Sequence, residues 1–345
     1  MFDNIIGNQR IKSTLARMLR EGRIPGSMLF TGEDGIGKRL FALDLARALN
    51  CHAKIGLDPC GECARCRRIS KIVFPPKDDK DANEPILWSQ FPDVGVIRPS
   101  GKFIRVTQMR EVEREANFRP YEGDARVFIV EEADRLNEAS SNALLKTLEE
   151  PAPTTHLILI TARPAQLLST IRSRCQIIRF SPLTSEEISS HLAGIRGLQK
   201  KDAVLLARIS GGSLGRALET DLESYKEQRA AMLEILMALA VDRDRVKLLR
   251  GSEQLNDAKL KDEYEPRLDL LTGLIHDVWL LQLGADGGQV VNEDLKQDLG
   301  KAAASRNSKI VAEWLRQIEK HKRGFQVNVN KKVATDALLL EMADA

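Results

Sequence analysis

The sequence predicts an α/β domain, built on a parallel sheet with helices on both faces, followed by two all-helical regions. Three observations support this fold class. A glycine-rich segment, Gly32–Arg39, lies between a buried apolar run and a helical pattern. Apolar strands then alternate with amphipathic helices as far as Phe180, which is the order typical of a parallel sheet. From Ser181 onward the strand pattern stops and only helical periodicity continues.

The elements of the α/β domain follow from hydrophobic periodicity and from turn residues. Strands are expected at 27–31, 93–97, 126–130, 157–161 and 176–180. Helices are expected at 9–21, 38–50, 107–118, 138–149 and 164–171. The stretch 75–92, rich in Asp, Lys and Pro, is expected to form a surface loop or an insertion.

The length of 345 residues favours two or three domains over one. We predict the α/β domain over 1–181, a small helical domain over 182–222 and a helical domain over 223–345. Thr184 and Glu187 form a capping-box pattern that opens the second of these domains. In the third, the apolar residues of 333–342 are close together, as in a helix buried within an assembly.

Composition limits the classes of function. The formal net charge is only +3, too small for charge alone to indicate nucleic-acid binding. Aromatic residues make up 5% of the chain, which argues against base-stacking platforms. No apolar run reaches the ~20 residues of a membrane span, and residues 1–10 lack a signal-peptide pattern. We therefore expect a cytoplasmic protein, in which clustered cysteines are more often metal ligands than disulfides.

The glycine-rich segment has the spacing and the strand–helix context of a phosphate-binding loop (P-loop). Its glycines would let backbone N–H groups surround a phosphate chain, and the start of the following helix adds a partial positive charge. Lys38 would reach the β- and γ-phosphates. The alternative is a plain glycine-rich turn. The predicted cofactor-binding residues of this loop are Gly32, Gly35, Ile36, Gly37, Lys38 and Arg39.

Two departures from the usual ATPase pattern both affect the metal. The residue after Lys38 normally offers a hydroxyl to Mg²⁺, but here it is Arg39, which cannot be a metal ligand. Glu131, at the end of an apolar strand, replaces the Asp that usually holds Mg²⁺, and Glu132 keeps the position of a vestigial catalytic base. A solvated acidic strand end is the alternative. The prediction is a site for ATP or ADP with a degraded Mg²⁺ site and weak or absent ATPase activity.

Four cysteines fall within sixteen residues, with two C-x2-C spacings. This pattern indicates a structural, tetrahedral Zn²⁺ site without an open coordination position. His52 is an alternative ligand, whereas Cys175 is distant in sequence. The predicted zinc module spans 51–66 and its ligands are Cys51, Cys60, Cys63 and Cys66.

Four further residues are candidates. Thr161 ends a strand and could contact a phosphate or a water, or simply cap the strand. Arg216 opens a helix of the second domain and could close over the phosphates or be solvated. Arg172 and Arg174 precede Cys175, and either could be an arginine finger or a surface ion-pair residue.

These pieces together resemble the bacterial clamp-loader ATPase-type subunits of DNA polymerase III. The resemblance covers residues 1 to about 220 well and the helical tail weakly, through 328–332. Besides the P-loop and the cysteines, the matching segments are Phe2–Asn8, Val127–Asp134, Ser140–Pro151 and Ser173–Cys175.

The resemblance implies an AAA+ fold with a helical lid at 182–222 and an all-α collar at 223–345. It implies a hetero-pentamer with gamma/tau motor subunits and a delta subunit, within the DNA polymerase III holoenzyme. Such a complex loads the sliding clamp onto primed DNA during DNA replication. Because Arg39 and Glu131 depart from the motor pattern, the resemblance favours a stator whose Arg174 acts as an arginine finger in trans at a neighbour's ATP site.

Two other hypotheses remain at this point. An active gamma/tau-type ATPase would hydrolyse ATP alone and would depend on Lys38. A zinc-containing DNA-binding protein with a vestigial nucleotide fold would bind DNA tightly and with strong salt dependence.

Overall fold

A computed structural model describes residues 2, 4–54, 56, 58–73, 84–256, 263–285, 289–324 and 330–344. The chain divides into two compact units, Met1–Leu218 and Glu219–Ala345. Residues 75–83 of the predicted loop and 328–329 of the tail pattern lie outside the described residues. Among the described residues, no helix has both the length and the apolar character needed to cross a membrane.

A six-stranded sheet forms the centre of the first unit, in the order β2-β3-β4-β5-β1-β6. Strand β2 is antiparallel to β3, and all other neighbours are parallel. The strands are β1 (Ser27–Thr31), β2 (Leu87–Trp88), β3 (Val94–Ile97), β4 (Arg126–Val130), β5 (Thr155–Thr161) and β6 (Gln176–Arg179).

Helices cover both faces of this sheet, because successive strand residues point to opposite sides. Met28, Ile129 and Ile158 lie in one apolar cluster, while their neighbours Leu29 and Phe128 lie in the other. The helices of the first unit are α1 (Gln9–Arg20), α2 (Lys38–Asn50), α3 (Ala64–Ile69), α4 (Val106–Ala116), α5 (Glu138–Glu149), α6 (Ser169–Arg172), α7 (Ser185–Arg196), α8 (Lys200–Ile209) and α9 (Leu214–Glu219). The predicted α/β fold class is confirmed.

Two of the differences between the structure and the predicted elements are the clearest. Leu87–Trp88 forms a short edge strand where only a loop was expected, because two residues are too few to show a period. The single helix predicted over 164–171 is instead a 3₁₀ turn at Pro164–Gln166 followed by α6. Leu167 takes an extended backbone conformation between them and ends the first turn.

The second unit is all-helical within its described residues, with an apolar core built around α12. Its helices are α10 (Leu222–Met237), α11 (Arg245–Leu255), α12 (Tyr264–Gln282), α13 (Lys296–Ser305), α14 (Ser308–Gly324) and α15 (Lys331–Asp344). Trp314 is fully buried, and its indole N–H donates to the Met342 carbonyl at 2.7 Å. This bond joins α14 to α15, the helix whose apolar residues the sequence predicted to be buried.

Arg126, at the start of β4, is a fully buried arginine in the first unit. Its guanidinium donates to the Glu115 carboxylate at 2.9 Å and lies 3.7 Å from Asp93. It also packs against the rings of Trp88, Tyr121 and Phe128, 5.0–5.4 Å from their centroids. Removing it would leave Glu115 and Asp93 without their buried cation.

We expect Arg126→Ala to lower the free energy of unfolding by about 3–5 kcal/mol, because it removes the buried cation beside the Asp93 and Glu115 carboxylates. The matched control is Arg114→Ala, since Arg114 also contacts Glu115 but its side chain is 63% exposed. Exposed pairs contribute only ~0–1 kcal/mol. Urea denaturation of the full chain measures both variants, and equal losses would contradict the assignment.

Candidate functional site

The carboxyl ends of three neighbouring strands bring the predicted nucleotide-site residues together. Thr31 of β1 pairs in register with Thr161 of β5, and β4 is the next strand on that side. The P-loop therefore starts beside Thr161, with Glu131 one strand further along. In open α/β sheets, ligands bind outside the carboxyl ends of the strands.

The P-loop has a backbone that only glycine accommodates easily. Gly32, Gly35 and Gly37 have φ values of 143°, 74° and 93°. A Cβ on Gly32 would lie 2.6 Å from the Phe180 carbonyl oxygen, and one on Gly35 would lie 2.2 Å from Ser213 Oγ. The predicted glycines are therefore required by the geometry of the loop itself.

Lys38 is buried at the start of α2, with only 5% of its side chain exposed. Its ammonium group donates to the carbonyl oxygens of Gly32 and Glu33 and lies 3.8 Å from Asp34. Burial lowers the pKa of Lys38, and the charge of Asp34 partly opposes that shift. The ammonium thus lies inside the curve of the loop, at the position from which it would meet a phosphate.

Arg39 and Glu131, the two departures from the metal-binding pattern, are paired with each other. Arg39 Nη1 lies 3.5 Å from Glu131 Oε1. Arg98, which follows β3, donates from Nε to the other carboxylate oxygen at 2.7 Å. Glu131 is 13% exposed, so the carboxylate is held between two guanidinium groups and is largely shielded from water.

Mg²⁺ prefers oxygen ligands in near-octahedral geometry. Here the hydroxyl position is a guanidinium and both oxygens of Glu131 face arginines. This lining offers Mg²⁺ no hydroxyl ligand and only a carboxylate that is already ion-paired, which is a poor fit to the ion. The degraded Mg²⁺ site and the weak or absent ATPase activity stay predictions.

Glu132 and Thr161 both have partners within the chain. Glu132 takes a left-handed conformation with φ 48°, and its exposed carboxylate pairs with Arg135 at 2.9 Å. Thr161 Oγ1 donates to Asp134 at 2.6 Å and accepts from the Arg163 N–H at 2.9 Å. The predicted base therefore points toward solvent, whereas Thr161 is bound within a small polar network.

The P-loop also contacts the segment that carries Arg216. The Gly215 N–H donates to the Gly35 carbonyl at 2.9 Å, which holds the start of α9 against the loop. Arg216 is exposed, and its guanidinium lies 3.4 Å from the Ser210 carbonyl. Arg216 is thus one residue away from the backbone contact with the loop.

Arg174 lies just after α6, away from the P-loop in sequence, and is one-third exposed. Its guanidinium forms an ion pair with Glu149 through both Nε and Nη2, and Nη1 donates to the Thr170 carbonyl at 3.0 Å. Cys175 beside it is buried, and burial raises the pKa of its thiol to about 12. Cys175 therefore acts as an apolar anchor next to an oriented arginine.

The four predicted cysteine ligands converge at the end of α2 and the start of α3. All four Sγ atoms lie within 4.8 Å of one another. Cys51 Sγ is 3.6 Å from Cys60 Sγ and 3.9 Å from Cys63 Sγ. Tetrahedral Zn²⁺–S bonds of about 2.3 Å imply S–S separations of about 3.8 Å. The cluster could therefore hold one metal ion, whereas His52 is exposed and is not part of it.

Backbone N–H groups already point at the sulfur atoms of this cluster. The N–H groups of Cys60, Cys63 and Cys66 donate to sulfur at 3.2–3.4 Å. The bond from the Cys63 N–H lowers the pKa of Cys60 to about 7, whereas burial raises the pKa of Cys66. A metal ion would therefore have to displace the proton of Cys66 on binding.

Sequence reasoning did not assign a role at this site to Arg98 or Asp134. Both positions carry a signal in the sequence, because each is a charged residue soon after the carboxyl end of a strand, β3 for Arg98 and β4 for Asp134. The pairing of Arg98 with Glu131 and of Asp134 with Thr161 could be seen only once the strand order was known.

The parallel sheet, the glycine-rich loop after β1 and the four-cysteine cluster define an α/β protein with a candidate phosphate-binding loop and a candidate metal site. Profiles of two protein families match the chain: "DNA polymerase III, delta subunit" over residues 7–184 and "DNA polymerase III, delta subunit, C terminal" over residues 223–344. The chain belongs to the DNA polymerase III delta subunit family. This confirms the resemblance to DNA polymerase III subunits seen in the sequence.

Individual relatives agree with this membership. The chain is 26% identical over 336 residues to DNA polymerase III subunit delta' of Bacillus subtilis, covering 97% of this chain and 96% of that protein. It is 31% identical to subunit tau of Escherichia coli over 82% of this chain, but spans only 44% of tau. A gamma-subunit-related protein of Thermotoga maritima, covering 96% of this chain and 98% of its own, is 18% identical with a TM-score of 0.39, too low to support further argument.

Proposed function

We propose that the chain is the delta-prime subunit of the DNA polymerase III clamp loader and acts as a stator. It completes the ATP site of a neighbouring motor subunit and does not hydrolyse ATP at its own site. The observation that carries this proposal is the ion-paired cluster of Arg39, Glu131 and Arg98, which takes the place of the metal ligands. Without a Mg²⁺ ion to neutralise the phosphates, hydrolysis at this P-loop is not supported.

Arg174 is the residue proposed to act in trans. Its contacts with Glu149 and the Thr170 carbonyl orient the guanidinium before any partner is present. An arginine finger stabilises charge on the transferring phosphoryl group, and such fingers raise turnover by about 10³–10⁵-fold. Glu132 is then a vestigial base, and Thr161 and Arg216 are proposed to line the nucleotide site of this chain.

The four-cysteine cluster is proposed to hold structural Zn²⁺. Four thiolates would leave no coordination position for a substrate, so the ion would serve folding alone. The partners proposed are the gamma/tau motor subunits and a delta subunit in a hetero-pentamer. The sliding clamp and primed DNA would be engaged through that assembled complex, during DNA replication.

ATP hydrolysis tests the proposal directly. The purified chain should be inactive alone, whereas addition of motor subunits, delta subunit, clamp and primed DNA should give turnover. A purified chain that hydrolyses ATP at a rate comparable with that complex, and loses this activity in a Lys38→Ala variant, would instead be a gamma/tau-type motor. Tight, salt-sensitive DNA binding by the isolated chain would favour the zinc-containing DNA-binding alternative.

A further inference from the structure

We propose that the P-loop of this chain binds nucleotide without a divalent cation, with the Arg39 guanidinium in place of the metal ion. This inference deepens the proposed function, since it concerns the nucleotide site of the stator itself. It depends on three observations: the ion pairs of Glu131, the exposure of the Arg39 side chain, and the burial of Lys38 beside the loop.

The Glu131 carboxylate is already ion-paired with cations that belong to the chain, although only its Oε2 accepts a hydrogen bond. Arg98 holds Oε2 at 2.7 Å and Arg39 lies 3.5 Å from Oε1. A metal ion approaching this carboxylate would meet two guanidinium groups that cannot be deprotonated in a protein. Like charges held a few ångströms apart repel, most strongly where water is largely excluded. The carboxylate is therefore poorly suited to hold Mg²⁺, directly or through water.

The two departures from the usual ATPase pattern, Arg39 and Glu131, compensate each other. An arginine at position 39 beside an intact metal site would oppose the ion, and a buried glutamate without cations would be costly. Together they form one ion pair, and the extra methylene group of Glu131 relative to Asp extends its carboxylate toward Arg39. The Arg39 guanidinium, which is part of α2, thus takes the place of the metal ion. The side chains of Arg39 and Glu131 occupy the positions of its two ligands.

Arg39 can still serve a phosphate, because its side chain is 40% exposed while Glu131 remains bonded to Arg98. A guanidinium can donate two parallel N–H groups to phosphate oxygens. A side chain that serves only as one ligand of a metal ion cannot do this. Lys38 is buried at the start of α2, where its ammonium donates to the carbonyl oxygens of Gly32 and Glu33 in the loop. The chain therefore supplies a lysine and an arginine to the phosphates and needs no free ion.

Calorimetric titration of the full chain with ATP, in Mg²⁺ and in excess EDTA, tests the inference. We expect the same affinity in both buffers for the unaltered chain. In the double variant Arg39→Thr/Glu131→Asp, which restores the usual ligands, we expect affinity to fall by about tenfold or more on chelation, equivalent to about 1.4 kcal/mol. Thermal melts of both proteins show whether the variant remains folded.

Two results would overturn the inference. One is ATP binding by the unaltered chain that disappears with EDTA, and the other is no ATP binding in either buffer. The role of Arg174 is measured separately, as turnover in the assembled complex. ATP binding that needs Mg²⁺ would also count against the inactive site of the stator, whereas no ATP binding in either buffer would leave the stator role intact. Conversely, hydrolysis by the isolated chain would contradict the stator role whatever the metal dependence of binding.

Discussion

The Arg174→Ala substitution is expected to leave the chain folded and able to join its partners, yet to lower ATP turnover of the assembled clamp loader. At the neighbouring ATP site the expected loss is about 10³-fold or more, the range typical of arginine fingers. The whole complex should lose at least the share of turnover that this site contributes. Steady-state ATPase assays with clamp and primed DNA, after checking assembly by gel filtration, measure the effect.

The structure explains why folding should survive this change. Arg174 is one-third exposed, and its partner Glu149 is 47% exposed, so the pair contributes little to stability. What alanine removes is an oriented guanidinium, held at Nε and Nη2 by Glu149 and at Nη1 by the Thr170 carbonyl. The expected loss therefore appears in turnover and not in unfolding.

Arg172→Ala provides a matched control, because Arg172 is two residues away at the end of α6. It should leave the turnover of the complex unchanged. Arg174→Lys separates charge from shape, since lysine keeps the charge but lacks the planar fork of donors. If Arg174→Ala leaves the turnover of a correctly assembled complex intact, the trans-finger role is wrong.

Loss of one cysteine ligand is the second change with a large expected effect. Cys60→Ser should lower the zinc content of the purified chain well below one ion per chain. Structural zinc contributes roughly 10–16 kcal/mol of apparent binding free energy in small modules, so the local fold around 51–66 should become metal-dependent. Metal analysis and a chelator titration followed by circular dichroism measure the two consequences.

The effect should extend beyond the cysteines, because α3 is tied to the segment before β4. Arg68 pairs with both carboxylate oxygens of Glu122 at 2.8 Å, and Arg65 donates to the Glu122 carbonyl at 2.9 Å. Proteolysis near residues 119–125 should therefore increase when zinc is removed. Cys175→Ser is the control, since this buried cysteine is not part of the cluster and zinc content should be unchanged. Full zinc content in Cys60→Ser would remove Cys60 from the ligand set.

Local patterns were sufficient to predict much of the fold. Strand β1 and helices α2 and α5 begin and end where periodicity placed them, and Thr184 and Glu187 form the predicted capping box. Short or irregular pieces were not predicted. Leu87–Trp88 is a strand only because β3 provides a neighbour, and 164–171 is interrupted by an extended residue that no pattern marks.

The residues of the candidate site also fall into a group that the sequence predicted and a group that it did not. The P-loop glycines, Lys38 and the four cysteines could be named from spacing alone, because their chemistry depends on residues close in the chain. The sequence also showed that Arg39 and Glu131 both depart from the usual Mg²⁺-binding pattern. Their direct pairing, and the part played by Arg98, could not be predicted, because both depend on strand order.

The sequence by itself therefore determined the fold class, the family resemblance, the glycine-rich loop and the cluster of four cysteines, since each arises from short-range periodicity or spacing. Only the tertiary structure decided which residues meet Glu131. Residues 39, 98 and 131 meet because β1, β5, β4 and β3 are adjacent in one sheet and all end at the same edge. Long-range ion pairs depend on distances that strand order sets, and one-dimensional spacing does not contain those distances.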